Sequence, residues 1–138
     1  MSPRPAPMAR KLDRKQLIWP VAMAALIFFA SSRSRVAGPE IAGFDKLVHF
    51  LAYGLLATLV CRLGEGRRAA GWALIAASVF GATDEWHQAY VPGRAPDLDD
   101  WIADSLGAAL AVTLYTLSGP YRRLLELPLV RRRAGPVR

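Results

Sequence analysis

Four apolar runs, Leu17 to Ser32, Leu47 to Leu63, Ala69 to Thr83 and Trp101 to Ser118, divide this 138-residue chain, and its ionisable residues gather between them and just inside their ends. Runs of this kind suit helices that satisfy their own backbone hydrogen bonds inside a bilayer. A hydrophobic content of 53% is high for a soluble domain of this size. The fold class expected is therefore all-α: one polytopic membrane bundle of four transmembrane helices, residues 17–118, between a basic leader, 1–16, and a basic tail, 119–138. At 1.5 Å per residue the first run reaches roughly 24 Å against a hydrocarbon core of roughly 30 Å. Arg14, Lys15, Arg33 and Arg35 flank it and can snorkel to cover the difference. Pro20 stands near its start, where a missing amide donor matters little.

The connections fix an orientation. The leader, the turn around Gly64 with Arg62, and the tail together hold fourteen Lys and Arg, against four in the other two connections, so both termini are expected in the cytoplasm. Acids run the other way, three on that side and eight on the outer side. Trp19 and Trp72 at the inner ends, with Phe44, Trp86, Tyr90 and Trp101 at the outer ends, suit aromatic belts at both interfaces. The leader is expected to be largely disordered, Ser34 to Phe44 to form a loop with Gly38, Pro39 and Gly43, and Gly119-Pro120 to stop the fourth helix. Beyond it, Leu124 to Val130 forms a short, weakly amphipathic patch interrupted by Pro128. Arg10 to Ser32 also has the make-up of a cleavable signal peptide, but removing it would leave the basic tail on the wrong side for its charge.

A net charge of +7 raises the question of nucleic acid, yet the basic residues alternate with apolar runs instead of lining one exposed face, and no nucleic-acid partner is expected. Cys61, the single cysteine, excludes an intramolecular disulfide and reads as a small core residue. Ala73, Ala77 and Gly81 recur every fourth residue in the third run, as Ala103, Gly107 and Ala111 do in the fourth. Small faces of this kind let backbones approach where lipid supplies no hydrophobic drive, so the third and fourth helices are expected to pack together.

Charge inside a membrane span is expensive and tends to mark a site. Asp45, His49 and Tyr53 fall at i, i+4 and i+8 on one helix face, with Asp45 placed as an N-cap and Lys46 three residues before His49. An acid, an imidazole and a phenol in a row can relay a proton or orient a ligand. Asp84 and Glu85 both reach Gln88 on the third helix, and His87 shares the Asp84 side. Adjacent acids are not expected to point inward together, so one of the two should face the bundle and the other interfacial water. The spacing is not that of a helical zinc protease, and His87 reads as an interfacial residue.

Pro92-Gly93-Arg94 then turns a guanidinium towards Asp97 and Asp100, where it can pair with a carboxylate or hold a phosphate. Asp97 and Asp100 also fit a capping box at the start of the fourth helix. Asp104 lies one turn further in, has no capping role, and should meet His49, Lys46 or Arg94. Proton uptake or a divalent cation, magnesium or calcium rather than zinc, would relieve the crowding of acids.

In Asp45-Lys46 with His49 and Tyr53, Asp84-Glu85 with Gln88, and Pro92-Gly93-Arg94 followed by Asp97, Asp100, Asp104 and Gly107, the sequence resembles the VanZ-like family of small bacterial membrane proteins. Many relatives carry Asn at the position of Asp104. The resemblance implies an integral, multi-pass protein of the bacterial inner membrane. The family takes its name from a member linked to resistance to the glycopeptide teicoplanin.

Three functions fit these residues. In the first, Lys46 and Arg94 bind an anionic lipid or a lipid-linked cell-envelope headgroup in an outward-facing pocket, with an effect on teicoplanin susceptibility. In the second, an enzyme acts on lipid-linked phosphate headgroups, assisted by a metal or a proton, with His49, Glu85 and Asp104 as the catalytic candidates. The third is a small proton-coupled transporter, which four short helices without internal repeats favour least. Membrane lipid is the expected partner, and the sequence is compatible with an oligomer.

Overall fold

The computed structural model describes residues 14–34 and 43–126. Five α-helices and one 3-10 turn, Arg14–Leu17, account for the order seen there, with no strand among the described residues. The helices are α1 (Ile18–Ser31), α2 (Phe44–Cys61), α3 (Gly66–Gln88), α4 (Leu98–Leu117) and α5 (Gly119–Glu126). Residues 1–13 of the leader, most of the Ser34 to Phe44 loop and the distal part of the tail fall outside the described residues, while the last three leader residues enter the 3-10 turn.

Backbone contact organises the bundle. The most extensive helix pair is α2 with α4, followed by α3 with α4. The expected pairing of the third and fourth runs is present, and Ala73, Ala77, Gly81, Gly107 and Ala111 of their small faces are buried. The tighter crossing, between α2 and α4, comes from Gly54 and Gly107. A Cβ on Gly107 would overlap the Phe50 carbonyl, and one on Gly54 would stand 3.1 Å from the Gly107 oxygen. Ala57, Cys61, Ala73, Ala77, Ala108, Val112 and Tyr115 form one core cluster, and Ile27 of α1 packs with Tyr53 and Leu56 in a second.

Two helix boundaries correct the sequence expectations. Asp45 is not an N-cap: Gly43, at φ +79°, takes that position, where a left-handed backbone favours glycine, and Asp45 sits in the first turn of α2. Gly119-Pro120 does not end the helical chain. It ends α4 and begins α5, because proline is tolerated in a first helical turn and Ser118 accepts the amides of Tyr121 and Arg122 through its Oγ and its carbonyl. The two helices meet at 104°.

Polarity is arranged inside out. Asp84, Glu85, Gln88, Asp100, Asp104 and Thr58 are buried, while large apolar side chains such as Phe29, Leu51, Ile75, Val79 and Leu106 are exposed around the bundle. Taken alone, α2 is long and apolar enough to cross a membrane, and α4 with α5 qualifies as a bent pair. α1 is apolar but shorter. α3 carries Arg67 and Arg68 at one end and Asp84 and Glu85 at the other, with Ala and Gly diluting the hydropathy between them.

Candidate functional site

The N-terminal ends of α2 and α4 and the C-terminal end of α3 bring a set of carboxylates to one place. α2 starts at Gly43 and turns Lys46 and His49 towards α4, whose start is set by Asp97: its side chain accepts the Asp99 amide at 2.9 Å as a helix cap. Lys46 Nζ donates to Asp97 Oδ2 at 2.9 Å and to Asp100 Oδ1 at 3.0 Å, and lies 3.7 Å from Asp45. Foremost this ammonium, and then the Asp99 amide, hold the Asp97 carboxyl below its ordinary range. Asp97 and Asp100 do not form the reciprocal capping box, because Asp100 is spent on Lys46 and the Asp97 amide donates instead to Glu85 Oε2 at 2.7 Å.

One turn deeper, His49 Nδ1 lies 3.0 Å from Asp104 Oδ1, and its Nε2 lies 3.7 Å from Asp100 Oδ2. The Asp104 side chain is wholly buried. The Tyr53 ring is parallel to that of His49, with centroids 6.3 Å apart, and Asp84, Asp104 and Glu85 are charged neighbours of its hydroxyl. Among the described residues, Asp104 Oδ2 has no hydrogen-bond partner. Gly81 makes room for the carboxylate: a Cβ there would lie 2.8 Å from Asp104 Oδ2 and 3.3 Å from the Tyr53 ring.

Asp84 and Glu85 are both buried, against the expectation that one would turn to water. α3 has neighbours on two sides, so each acid finds its own. Asp84 Oδ1 accepts from Ser31 of α1 at 2.6 Å, and Glu85 turns to the start of α4. Gln88 spans them, its Nε2 donating to Asp84 Oδ2 at 3.3 Å and to Glu85 Oε1 at 3.2 Å. His87, read as interfacial, meets Ser32 at 3.0 Å and the Phe28 ring. Ser31 was not singled out by the sequence, although the serine pair at the end of an apolar run was an available signal, and Gly81, read there as part of a helix-packing face, also makes room for a site carboxylate.

The expected residues thus divide. Lys46, His49, Tyr53, Asp84, Glu85, Gln88, Asp97, Asp100 and Asp104 converge, Asp45 stays at the exposed edge through Lys46, and Arg94 stands apart. The guanidinium of Arg94, expected near Asp97 and Asp100, makes no hydrogen bond or ion pair among the described residues, and Lys46 pairs with those acids instead. It is half-buried on the turn that Gly93, at φ +80°, makes between α3 and α4. One ligand atom from each of His49, Glu85 and Asp104 can be chosen so that all lie within 4.8 Å of one another.

The family model described as VanZ/LLP1 matches residues 7–119 of this chain. No curated protein and no solved structure matches it.

Proposed function

This chain belongs to the VanZ/LLP1 family, and from that premise we propose that it is a bacterial inner-membrane protein whose outward-facing polar cluster binds an anionic lipid or a lipid-linked cell-envelope headgroup. The four apolar helices α1 to α4 each cross the bilayer, with both termini in the cytoplasm. What supports this is the inverted polarity: the bundle buries carboxylates and presents Leu, Ile, Val and Phe outward. A soluble bundle arranged so would expose far more contiguous apolar surface than water tolerates.

The observation that carries the headgroup reading is the unpaired guanidinium of Arg94, on the turn between α3 and α4, while Lys46 is already shared between Asp97 and Asp100. A phosphate therefore meets Arg94 first, through the bidentate geometry a guanidinium offers, while Lys46 holds the acids in position. Binding of an envelope precursor at this place would alter glycopeptide susceptibility, teicoplanin included. Native mass spectrometry of the protein released from detergent tests the reading. Wild type is expected to retain an anionic lipid that Arg94→Ala loses at least tenfold, and identical lipid complements in the two would overturn it.

A second reading is favoured by the close pair of His49 and Asp104. A buried carboxylate that orients an imidazole is the arrangement by which a histidine moves protons, so hydrolysis or transfer of a lipid-linked phosphate headgroup fits the same place. His49→Ala separates the two readings. It should abolish turnover in an enzyme, whereas lipid retention by a binding protein should depend more on Arg94 than on His49.

A further inference from the structure

We propose that His49, Glu85 and Asp104 hold a divalent cation. Each ligand comes from a different helix, α2, α3 and α4, and all three helices are fixed by the close crossings around Gly54, Gly81 and Gly107. The three ligand atoms lie within 4.8 Å of one another. A cation about 2.1 Å from each would hold them roughly 3 to 4 Å apart, which small side-chain adjustments reach.

Unmet valence at the same spot points the same way. Asp104 is buried with one oxygen on His49 and the other, Oδ2, unpartnered among the described residues. Of the cluster's other charges, Lys46 is occupied by Asp97 and Asp100, while Asp84 and Glu85 have only neutral donors in Ser31, Gln88 and a backbone amide. One imidazole cannot balance both Glu85 and Asp104, and an uncompensated buried charge costs several kcal/mol.

Two carboxylates and one imidazole, with no thiolate near, suit manganese, magnesium or zinc ahead of copper(I) or an iron–sulfur cluster, the imidazole readmitting the zinc that the acids alone disfavoured. The oxygens of a bound phosphate could complete the coordination. The ion would then draw an anionic headgroup into a cluster that otherwise repels it, a role that rests on the headgroup reading, although binding of the ion does not.

Manganese is the probe. The untagged full-length protein in detergent, stripped with EDTA and titrated with Mn2+, is expected to remove one equivalent per chain from the free-ion EPR signal. Glu85→Gln and Asp104→Asn should each weaken that binding at least tenfold, whereas Asp99→Asn, an exposed acid outside the triad, should not. Wild type that leaves the free-ion signal unchanged overturns the proposal without recourse to any variant, and would assign a proton to the carboxylates. Glu85→Gln and Asp104→Asn proteins that are monodisperse and helical yet bind manganese as wild type does would overturn it too. Manganese binding together with a lipid complement unchanged in Arg94→Ala supports the ion and removes the headgroup reading.

Discussion

Single residues decide how closely the helices meet. Gly107 has no room for even a methyl group, because the added carbon would overlap the Phe50 carbonyl of α2, and backbone cannot swing aside as a long side chain can. Gly71, on the same face-rich α3 that carries Gly81, has open space around it. Gly107→Ala is therefore expected to destabilise the protein by about 1–3 kcal/mol or more, read as a lower melting temperature in detergent, while Gly71→Ala leaves it unchanged or slightly raised. Equal melting temperatures for the two variants would contradict the close crossing. The sequence already implied that Asp104 meets one of His49, Lys46 and Arg94, since an acid one turn inside a helix start has no other local duty, and of these the bond to His49 is the one that forms. It could not assign Asp84 and Glu85, because neighbours on two sides of α3 allow both to turn inward, and the chain alone does not reveal how many neighbours a helix has. Lys46 takes the place expected of Arg94 beside Asp97 and Asp100 for a related reason: only the three-dimensional path of α2 shows that Lys46 reaches them.

Among the helices, α1 is attached differently from the rest. Its contacts with α2 and α3 are fewer than those within the α2–α3–α4 set, and at its outer end it is tied by polar bonds, Ser31 to Asp84 and Ser32 to His87, with Phe28 against the His87 ring. Ser31→Ala removes the donor from a buried carboxylate oxygen, a loss worth about 1.5–3 kcal/mol for a charged acceptor. Hydrogen exchange should then quicken across α1 while α2 and α4 keep their protection. Exchange that stays unchanged in α1 would mean that its apolar contacts, Ile27 with Tyr53 and Leu56, hold it unaided. The existence of α1 to α4 was legible in hydropathy alone. The start of α2 and the whole of α5 were not, since Asp45 resembles a cap as much as Gly43 does, and a Gly-Pro pair can begin a helix as readily as it ends one.

For the whole molecule, the question is whether the polar end and the basic end lie on opposite faces of a bilayer. α3 tests this most severely, because its Ala- and Gly-rich sequence is less hydropathic than that of α2 and its ends are charged. In a Cys61→Ser background, Pro92→Cys is expected to react with a membrane-impermeant maleimide on intact spheroplasts. Glu65→Cys should react only after permeabilisation. Labelling of both from one side would end the four-span reading, whatever the hydropathy of the other helices.

The glycine crossing of α2 and α4 sets what can yield when a guest arrives. These two helices carry Lys46, His49, Tyr53, Asp100 and Asp104, and they touch main chain to main chain at Gly107, so neither can slide or rotate past the other without collision. Half of the polar cluster is in effect cast as one rigid block. Accommodation is left to the parts fastened by side chains, α1 with its two serine ties and the turn bearing Arg94, which Glu85 grips by the single amide of Asp97.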